Sequence, residues 1–329
     1  MRKWLVLIAA AAIAFCAPAP ATATSPNAFP DRLITLIVPF PAGGPSDALA
    51  RIMAEAMSVR LKQPIVIENV AGASGTIGLS RVVNATPDGY TIGFGTIGTH
   101  VANVALFKSL PYDPQSSFAP IGLAGTAPLI LATRASLPVT DLKSFVEYAR
   151  THRTGMNFGS AGVGSISHYA CSILLAALQV NITHVPYRGV APAMNDLVGG
   201  HIDFMCDQTT TALANVQAAK IKAIAVLTDQ ALPQLPGIAT AADAGYRDVN
   251  IRAWNAFFAP KGTPVAVIDR LNEALRAAAA DTSIIRRLAA VGVDLPAPET
   301  LTPAAVTDLI SRGLAQDVPA LRARGETLD

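Results

Sequence analysis

LITLIVPFPAGGPSDALA, residues Leu33–Ala50, is the stretch that decides the fold. Its first half contains the β-branched apolar run Ile34–Val38, which is typical of a strand buried on both faces of a parallel sheet. A Pro/Gly loop follows, and apolar residues at helical spacing then predict an amphipathic helix. A strand, a tight loop and a helix in this order place the free N–H groups of the helix start at the carboxyl edge of a sheet. Such an edge is a ready site for an anion.

Copies of this unit recur along the chain. Strand-like segments alternate with helix patterns and short glycine joints, which predicts an α/β fold with mostly parallel sheets. Two further glycine loops, Gly72–Gly75 and Gly159–Gly164, each join a strand to a helix. The triplets Val38–Phe40 and Val185–Tyr187 are both Val-Pro-aromatic, and each has a proline seven residues after its valine. We interpret this pattern as two doubly wound lobes that face one ligand cleft.

The length of the chain also favours two lobes, because 329 residues exceed what one hydrophobic core usually supports. No Gly/Ser linker separates them, and Phe118–Thr133 has the composition of an extended segment that crosses between domains. We predict that residues 24–126 and 251–329 form lobe 1 and that residues 127–250 form lobe 2. Trp254 lies in the predicted returning segment, so its fluorescence is expected to report ligand binding.

The charge of the chain excludes some classes of partner. The formal net charge is +2, and Arg2 and Lys3 account for it, since the rest of the chain has 23 basic and 23 acidic residues. A nearly neutral chain without a Lys/Arg run gives no electrostatic basis for nucleic-acid binding. The five histidines are never four residues apart, so the sequence predicts neither a metal site nor a cofactor.

The N-terminal segment predicts export from a bacterial cell. Arg2 and Lys3 form a basic start, and the twelve apolar residues Trp4–Phe15 are too few to span a bilayer. Ala21-Thr22-Ala23 fits a small-x-small cleavage site, so we predict cleavage after Ala23 and a periplasmic product. Cys16 raises the alternative of a lipid anchor, but a bulky phenylalanine precedes it where such anchors have a small residue.

Cleavage would leave two cysteines, Cys171 and Cys206. An oxidising compartment allows them to pair. The alternative is that both are small buried residues, and we favour it because the sequence alone does not give their separation in space.

Seven motifs in family order resemble the extracytoplasmic solute receptors of tripartite tricarboxylate transporters, often called the Bug family. The resemblance covers nearly all of the chain after the predicted cleavage site. It implies a type II periplasmic binding protein fold, a small carboxylate ligand, a permease of one large and one small membrane subunit, and a monomeric receptor without catalytic residues. The motifs are VPFPAGGPSD, GASGTIG, PDGYTIGFGTIGTH, LPYDP, SAGVGSISH, HVPYRGVAPAMNDLVGGHIDFMCD and FAPKGTP.

The resemblance also implies which loops face the ligand. By motif match these are Phe40–Asp47, Ala73–Gly75, Gly98–His100, Ser160–His168, Tyr187–Arg188 and the region of Asp207. The family often has an aromatic or aliphatic residue where Cys206 stands. The candidate ligand-binding residues are Phe40, Gly43, Gly44, Ser46, Asp47, Ala73, Ser74, Gly75, Thr99, His100, Ser160, Gly164, Ser165, His168, Tyr187, Arg188 and Asp207.

Several of these residues have an equally simple structural interpretation. Ser46 is either a helix cap or a donor to a carboxylate, and the charge of Asp47 suits the first turn of a helix better than contact with an anion. His168 either packs in the core or contacts the ligand. Tyr187 is either a core aromatic or part of the cleft. Arg188 is either a solvated loop residue or a bidentate carboxylate clamp.

Two other function classes stay open. A receptor that delivers its ligand to a membrane sensor kinase would have the same sequence features. A secreted serine hydrolase is the more distant alternative, because a serine and a histidine three residues apart on one helix start, Ser165 and His168, do not form a triad. The loop Gly72–Gly75 is not a nucleophile elbow either, since Thr76 stands where the second glycine is needed.

Overall fold

In the computed structural model, which describes residues 29–322, one long strand runs through two lobes. This strand is β4 (Phe118–Arg134); it is paired in the first lobe up to Pro128 and in the second lobe from Leu129 onward. The extended crossing predicted for this segment is confirmed. The partners of β4 are β9 (Arg252–Pro260) in the first lobe and β7 (Phe204–Gln208) and β8 (Ile221–Val226) in the second.

The other described strands complete a sheet path of mixed direction through both lobes. They are β1 (Ile34–Val38), β2 (Ile65–Asn69), β3 (Thr91–Thr96), β5 (Asn157–Ser160) and β6 (Thr183–Pro186). The order is β2-β1-β3-β9-β4-β7-β5-β6, with β8 also on β4. β1 is parallel to β2 and β3, and β5 is parallel to β6 and β7. The pairs that involve β4 or β9 are antiparallel.

Helices connect the strands and pack against them. No described helix is long and apolar enough to cross a membrane. Three short turns complete the list: 3₁₀ turns at Ala73–Gly75 and Pro298–Thr300 and a π-helical turn at Gly98–Ala102. The helices of the first lobe are α1 (Pro45–Leu61), α2 (Thr76–Val83), α3 (Asn103–Leu106), α8 (Val265–Ala279), α9 (Thr282–Ala290) and α10 (Pro303–Arg322). Those of the second are α4 (Leu142–His152), α5 (Ile166–Leu178), α6 (Val190–Gly199) and α7 (Thr209–Gln217).

The sheet of the second lobe is buried on both faces. Leu129 and Leu131 of β4 belong to the apolar cluster on one face, whereas Ile130 belongs to the cluster on the other. Phe204 and Met205 of β7 divide between the two faces in the same way. Successive side chains of a strand point to opposite faces, so burial of both faces accounts for the continuous apolar runs in the sequence.

The strand–loop–helix unit that opens the chain is confirmed as β1 and α1. The N-cap of α1 is Gly44 rather than Ser46, so the interpretation of Ser46 as a cap is wrong. The reason is that Pro45 already has helical geometry at the first position, which moves the helix start upstream. The Ser46 hydroxyl is therefore free to donate to Asn255 Oδ1, at 3.3 Å.

Cys171 and Cys206 form a disulfide, so the interpretation of two separate buried cysteines is wrong. Cys171 lies on α5 and Cys206 on β7, and both side chains are fully buried in the cluster that α5 forms with the sheet. Their Cα atoms are 5.3 Å apart, although 35 residues separate them in the chain. The packing of α5 on β7 brings them together, and no local sequence pattern shows it. The predicted signal peptide, including Cys16 and the cleavage site, lies outside the described residues.

Candidate ligand-binding site

A cavity lies between the two lobes, and both contribute to its wall. Its volume, measured as the space open to the centre of a water-sized sphere, is about 40 Å³. The first lobe contributes Phe40–Ala42, Gly44–Ser46, Ser74, Thr96–Gly98 and Ala253–Asn255. The second contributes Ala161, Gly164–Ser167, Gly189–Ala191, Asp207 and Gln208. The small volume indicates that the lobes are closed over this space.

Four helices begin at the wall of this cavity. The lining includes Gly44–Ser46 at the start of α1, Ser165–Ser167 at the start of α5, Gly189–Ala191 at the start of α6, and Gln208, which precedes α7. The first N–H groups of a helix have no partner within the helix and carry a partial positive charge. These four starts make the cavity favourable for an anion.

Asp207 is the one residue with an ionisable side chain among the described residues that line the cavity. Its side chain is fully buried, and burial raises its pKa to about 6, although hydrogen bonds from Thr211 and the Gln208 amide oppose this rise. Oδ2 accepts from the Thr211 hydroxyl, whereas Oδ1 has no hydrogen-bond partner among the described residues. The neighbouring Gln208 Oε1 also lacks one within the described part of the chain.

Two close contacts cross the cavity from lobe to lobe. Ser74 Oγ donates to the Val163 carbonyl at 2.6 Å. Gly189 has φ +121°, and a Cβ atom at this position would lie 2.9 Å from Cγ of Pro41 on the opposite lobe. Gly189 therefore allows the backbone of the second lobe to approach the first more closely than any other residue would.

Seven of the predicted binding residues line the cavity. In particular, the loops that begin α1 and α5 face the same space, as two lobes around one ligand require. Contact with a ligand itself stays a prediction. The residues in the wall are Phe40, Gly44, Ser46, Ser74, Gly164, Ser165 and Asp207. The other predicted residues lie outside the lining: Gly43, Asp47, Ala73, Gly75, Thr99, His100, Ser160, His168, Tyr187 and Arg188.

Comparison with known proteins identifies the family. The model of the tripartite tricarboxylate transporter family receptor matches residues 49–313. The chain belongs to this family. Among solved structures, the periplasmic binding protein BugD is 36% identical, with a TM-score of 0.88 over 91% of this chain and 100% of BugD. MatC (Rpa3494) from Rhodopseudomonas palustris with bound malate is 38% identical, with a TM-score of 0.85 over 89% of this chain and 100% of MatC.

A third structure, Rpa4515 from R. palustris with adipate, is 31% identical, with a TM-score of 0.85 over 90% of this chain and 98% of Rpa4515. These similarities confirm the predicted family and the predicted two-lobed periplasmic binding protein fold. The chain is a periplasmic solute-binding receptor of the tripartite tricarboxylate type.

Asp47 of the receptor has its partners within the first lobe. Its carboxylate accepts from the Gly43 N–H at 2.9 Å, from Arg51 at 2.9 Å and from Asn69 at 3.0 Å. Burial by itself would raise the pKa of Asp47, but these three hydrogen bonds hold the pKa below its usual value. The Asp47 charge therefore stabilises the Gly43 loop, in agreement with its interpretation as a structural residue of the first helical turn.

His100 lies in an aromatic core of the first lobe. Its ring stacks on Phe258 with centroids 4.0 Å apart, and its Nδ1 lies 2.9 Å from the Thr99 hydroxyl. Burial lowers the pKa of His100 to about 3, so the ring is neutral. Thr99 is fully buried and accepts from the Thr96 N–H, and Thr96 rather than Thr99 lines the cavity. Gly75 packs on Thr99, since a Cβ would lie 2.8 Å from Thr99 Cγ2.

Ser160 pairs with a histidine that the sequence did not single out. Its hydroxyl lies 2.7 Å from Nε2 of His184, and the ring of His184 stacks on His168 with centroids 4.2 Å apart. Burial, together with the charge of His168, lowers the pKa of His184 to about 4. Ser160 is fully buried and outside the cavity lining, so this Ser–His pair does not face the space where a substrate would bind.

Tyr187 and Arg188 also point to structural roles. The Tyr187 hydroxyl donates to Asp196 at 2.6 Å; burial and this hydrogen bond raise the pKa of Tyr187 to about 12. Arg188 is exposed, and the residue after it, Gly189, is the one that lines the cavity. The Val-Pro-aromatic loop of the second lobe thus reaches the cavity through the helix start that follows it.

Sequence reasoning missed the part of the wall that β9 contributes. Trp254 and Asn255 line the cavity, yet the motifs place them far from every candidate loop. They reach it because β9 pairs with both β3 and β4 in the middle of the sheet path. The expected position of Trp254 in a returning segment was the one signal that pointed toward this strand.

Proposed function

We propose that this receptor captures a small carboxylate between its lobes and delivers it to a membrane permease of one large and one small subunit. The observation that carries the proposal is the convergence of four helix starts on one interlobe cavity. The malate in MatC and the adipate in Rpa4515 support a carboxylate ligand, because both proteins belong to solved structures with TM-scores of 0.85 to this chain.

The chemistry of the wall suits a carboxylate without a cationic side chain. Backbone N–H groups at helix starts and serine hydroxyls each donate charge-assisted hydrogen bonds to carboxylate oxygens. The donors in this cavity include the Ser46, Ser74 and Ser165 side chains and the amides around them. Since they come from both lobes, a bound carboxylate stabilises the closed arrangement.

The same proposal includes the division of the chain into moving parts. Lobe 1 comprises residues 24–126 and 251–329, and lobe 2 comprises residues 127–250. The change of β4 partners after Pro128 supports this boundary, since β4 and β9 are then the connections about which the lobes close. Closure around the ligand would present a single shape to the permease.

Ligand binding is expected to change the fluorescence of Trp254, because its side chain lines the cavity. Titration of refolded protein with di- and tricarboxylates, aromatic carboxylates and acidic amino acids should give a saturable change for at least one compound. A dissociation constant on the order of 1 µM corresponds to about 8 kcal/mol. Refolding first removes any ligand that is retained through purification.

Calorimetry with Trp254→Phe provides the control for this titration. The variant should still release binding heat, although the main emission change is gone. If no carboxylate changes emission, binding heat or melting temperature, the proposed function is wrong. Turnover of ester substrates by the pure protein would instead favour the hydrolase alternative.

Gly189→Ala is expected to weaken ligand binding at least 10-fold, or about 1.4 kcal/mol. The added methyl group would meet Pro41 across the cavity and prevent full closure. Gly237→Ala is the matched control, because Gly237 also has positive φ but nothing within 4 Å of the added atom. Both variants should lose about 1 kcal/mol of stability from left-handed backbone strain. Small-angle scattering should show ligand-induced compaction in Gly237→Ala but not in Gly189→Ala; equal compaction would contradict the assignment.

The location and the partner need separate tests. N-terminal sequencing of exported protein should begin at Thr24 if cleavage follows Ala23. Receptor-dependent uptake into membranes that contain both permease subunits would support delivery. Uptake that does not depend on the receptor, together with ligand-dependent binding to a sensor kinase, would support the sensory alternative instead.

A further inference from the structure

The wall of the second lobe presents hydrogen-bond acceptors that have no donor. Asp207 lies at the end of β7, with a fully buried side chain whose Oδ1 has no partner among the described residues. The next residue, Gln208, is also buried, and its Oε1 likewise lacks a partner in the described chain. A buried acceptor that has lost its water is costly unless a donor replaces that water.

The surroundings of Asp207 do not supply that donor. The contacts of its carboxyl group are the Thr211 hydroxyl and the Gln208 amide. The other described residues that line the cavity carry no ionisable side chain, so no cation of the wall neutralises the carboxylate. The free oxygen faces the space where a ligand would lie.

The cavity is therefore polar in two opposite senses. The starts of α1, α5 and α6 supply donors that suit a carboxylate of the ligand. Asp207 and Gln208 supply acceptors that suit a donor. Because the cavity is small, both groups belong to one small molecule.

We propose that Asp207 is a specificity-determining residue whose Oδ1 accepts a hydrogen bond from a hydroxyl or ammonium group that the carboxylate ligand carries. This inference rests on the proposed function, the capture of a carboxylate between the lobes. Asp207 discriminates by leaving its buried oxygen unpaired when the ligand lacks the donor, and by repelling the ligand's own carboxylates.

The test uses matched carboxylates that differ only in the donor. The sets are propionate, lactate and alanine; succinate, malate and aspartate; and adipate with 2-aminoadipate. Calorimetry at pH 8 compares the wild type with Asp207→Asn. Asp248→Asn is the control, since it removes an exposed carboxylate of the same lobe outside the cavity lining.

In the wild type and in Asp248→Asn, a donor-bearing member of at least one set should bind at least 10-fold more tightly than its unsubstituted parent. In Asp207→Asn the ammonium compounds should lose at least 10-fold, whereas the parents bind equally well or more tightly. The hydroxyl compounds should change less, because an amide both accepts from and donates to a hydroxyl.

The inference is overturned if the parents bind the wild type as tightly as their derivatives, or if Asp207→Asn weakens every ligand by the same factor. The first result would assign Asp207 no part in selection, and the second would make its role purely structural. If Asp207→Asn does not fold, the wild-type comparison of parent and derivative still decides. If no compound of any set binds, the proposed function itself fails, which is a distinct outcome.

Discussion

Replacing Asp207 with asparagine is expected to raise the free energy of unfolding of the ligand-free receptor at pH 8 by about 3 kcal/mol. Burial raises the pKa of Asp207 from 3.8 to about 6, so the folded state binds this proton more tightly than the unfolded state does. The stabilisation linked to the proton is fully present below about pH 4 and is lost as the pH rises through 6. Above pH 6 the native protein carries a buried, ionised carboxylate that asparagine removes.

Denaturant unfolding of both proteins from pH 4 to pH 8 measures this effect. The advantage of Asp207→Asn should fall to about half at pH 5 and nearly vanish at pH 4. Asparagine retains an oxygen that accepts from Thr211, so the comparison isolates the charge. Asp248→Asn should show no such pH-dependent gain. An advantage that is the same at pH 4 and pH 8 would contradict the assignment of a raised pKa.

The second large effect is expected from the disulfide. Replacing both Cys171 and Cys206 with alanine should lower the free energy of unfolding by about 3–4 kcal/mol, because the bond closes a loop of 35 residues and restricts the unfolded chain. Ligand affinity should fall as well. The bond joins α5, whose start lines the cavity, to the residue directly before Asp207.

Denaturant unfolding with and without a reducing agent tests this prediction. The reducing agent should destabilise the wild type to a similar extent and leave the double variant unchanged. Neither Cys171 nor Cys206 should react with a thiol reagent in the unfolded, unreduced protein. Labelling of both residues under those conditions would show that the bond is absent.

Asp47 and Asp207 show how far sequence reasoning reached into the site. For Asp47, four residues separate it from Gly43 and from Arg51, so its role as a local helix-start carboxylate could be predicted from the sequence. For Asp207, the sequence placed it only in the region of the ligand. Its unpaired oxygen and its raised pKa depend on burial by elements that are distant in the chain.

His100 shows the limit of motif transfer. Its neighbours Thr96 and Gly98 line the cavity, but the π-helical turn that contains it directs the ring onto Phe258. The residues that share this core come from β4 and β9 as well as from the turn, with Phe118 at 4.9 Å and Trp254 at 6.2 Å between ring centroids. Position in a motif therefore did not decide which way the side chain faces.

The sequence by itself determined the strand–glycine loop–helix units, the two-lobed α/β fold and the family, because these follow from hydrophobic period, turn residues and motifs within short stretches. Only the tertiary structure decided that Ser46 meets Asn255, 209 residues away, that Cys171 bonds to Cys206, and that β9 supplies part of the cavity wall. The physical reason is that local spacing specifies which backbone conformation a segment adopts. Which segments then touch depends on how the sheets pair and how the helices pack upon them.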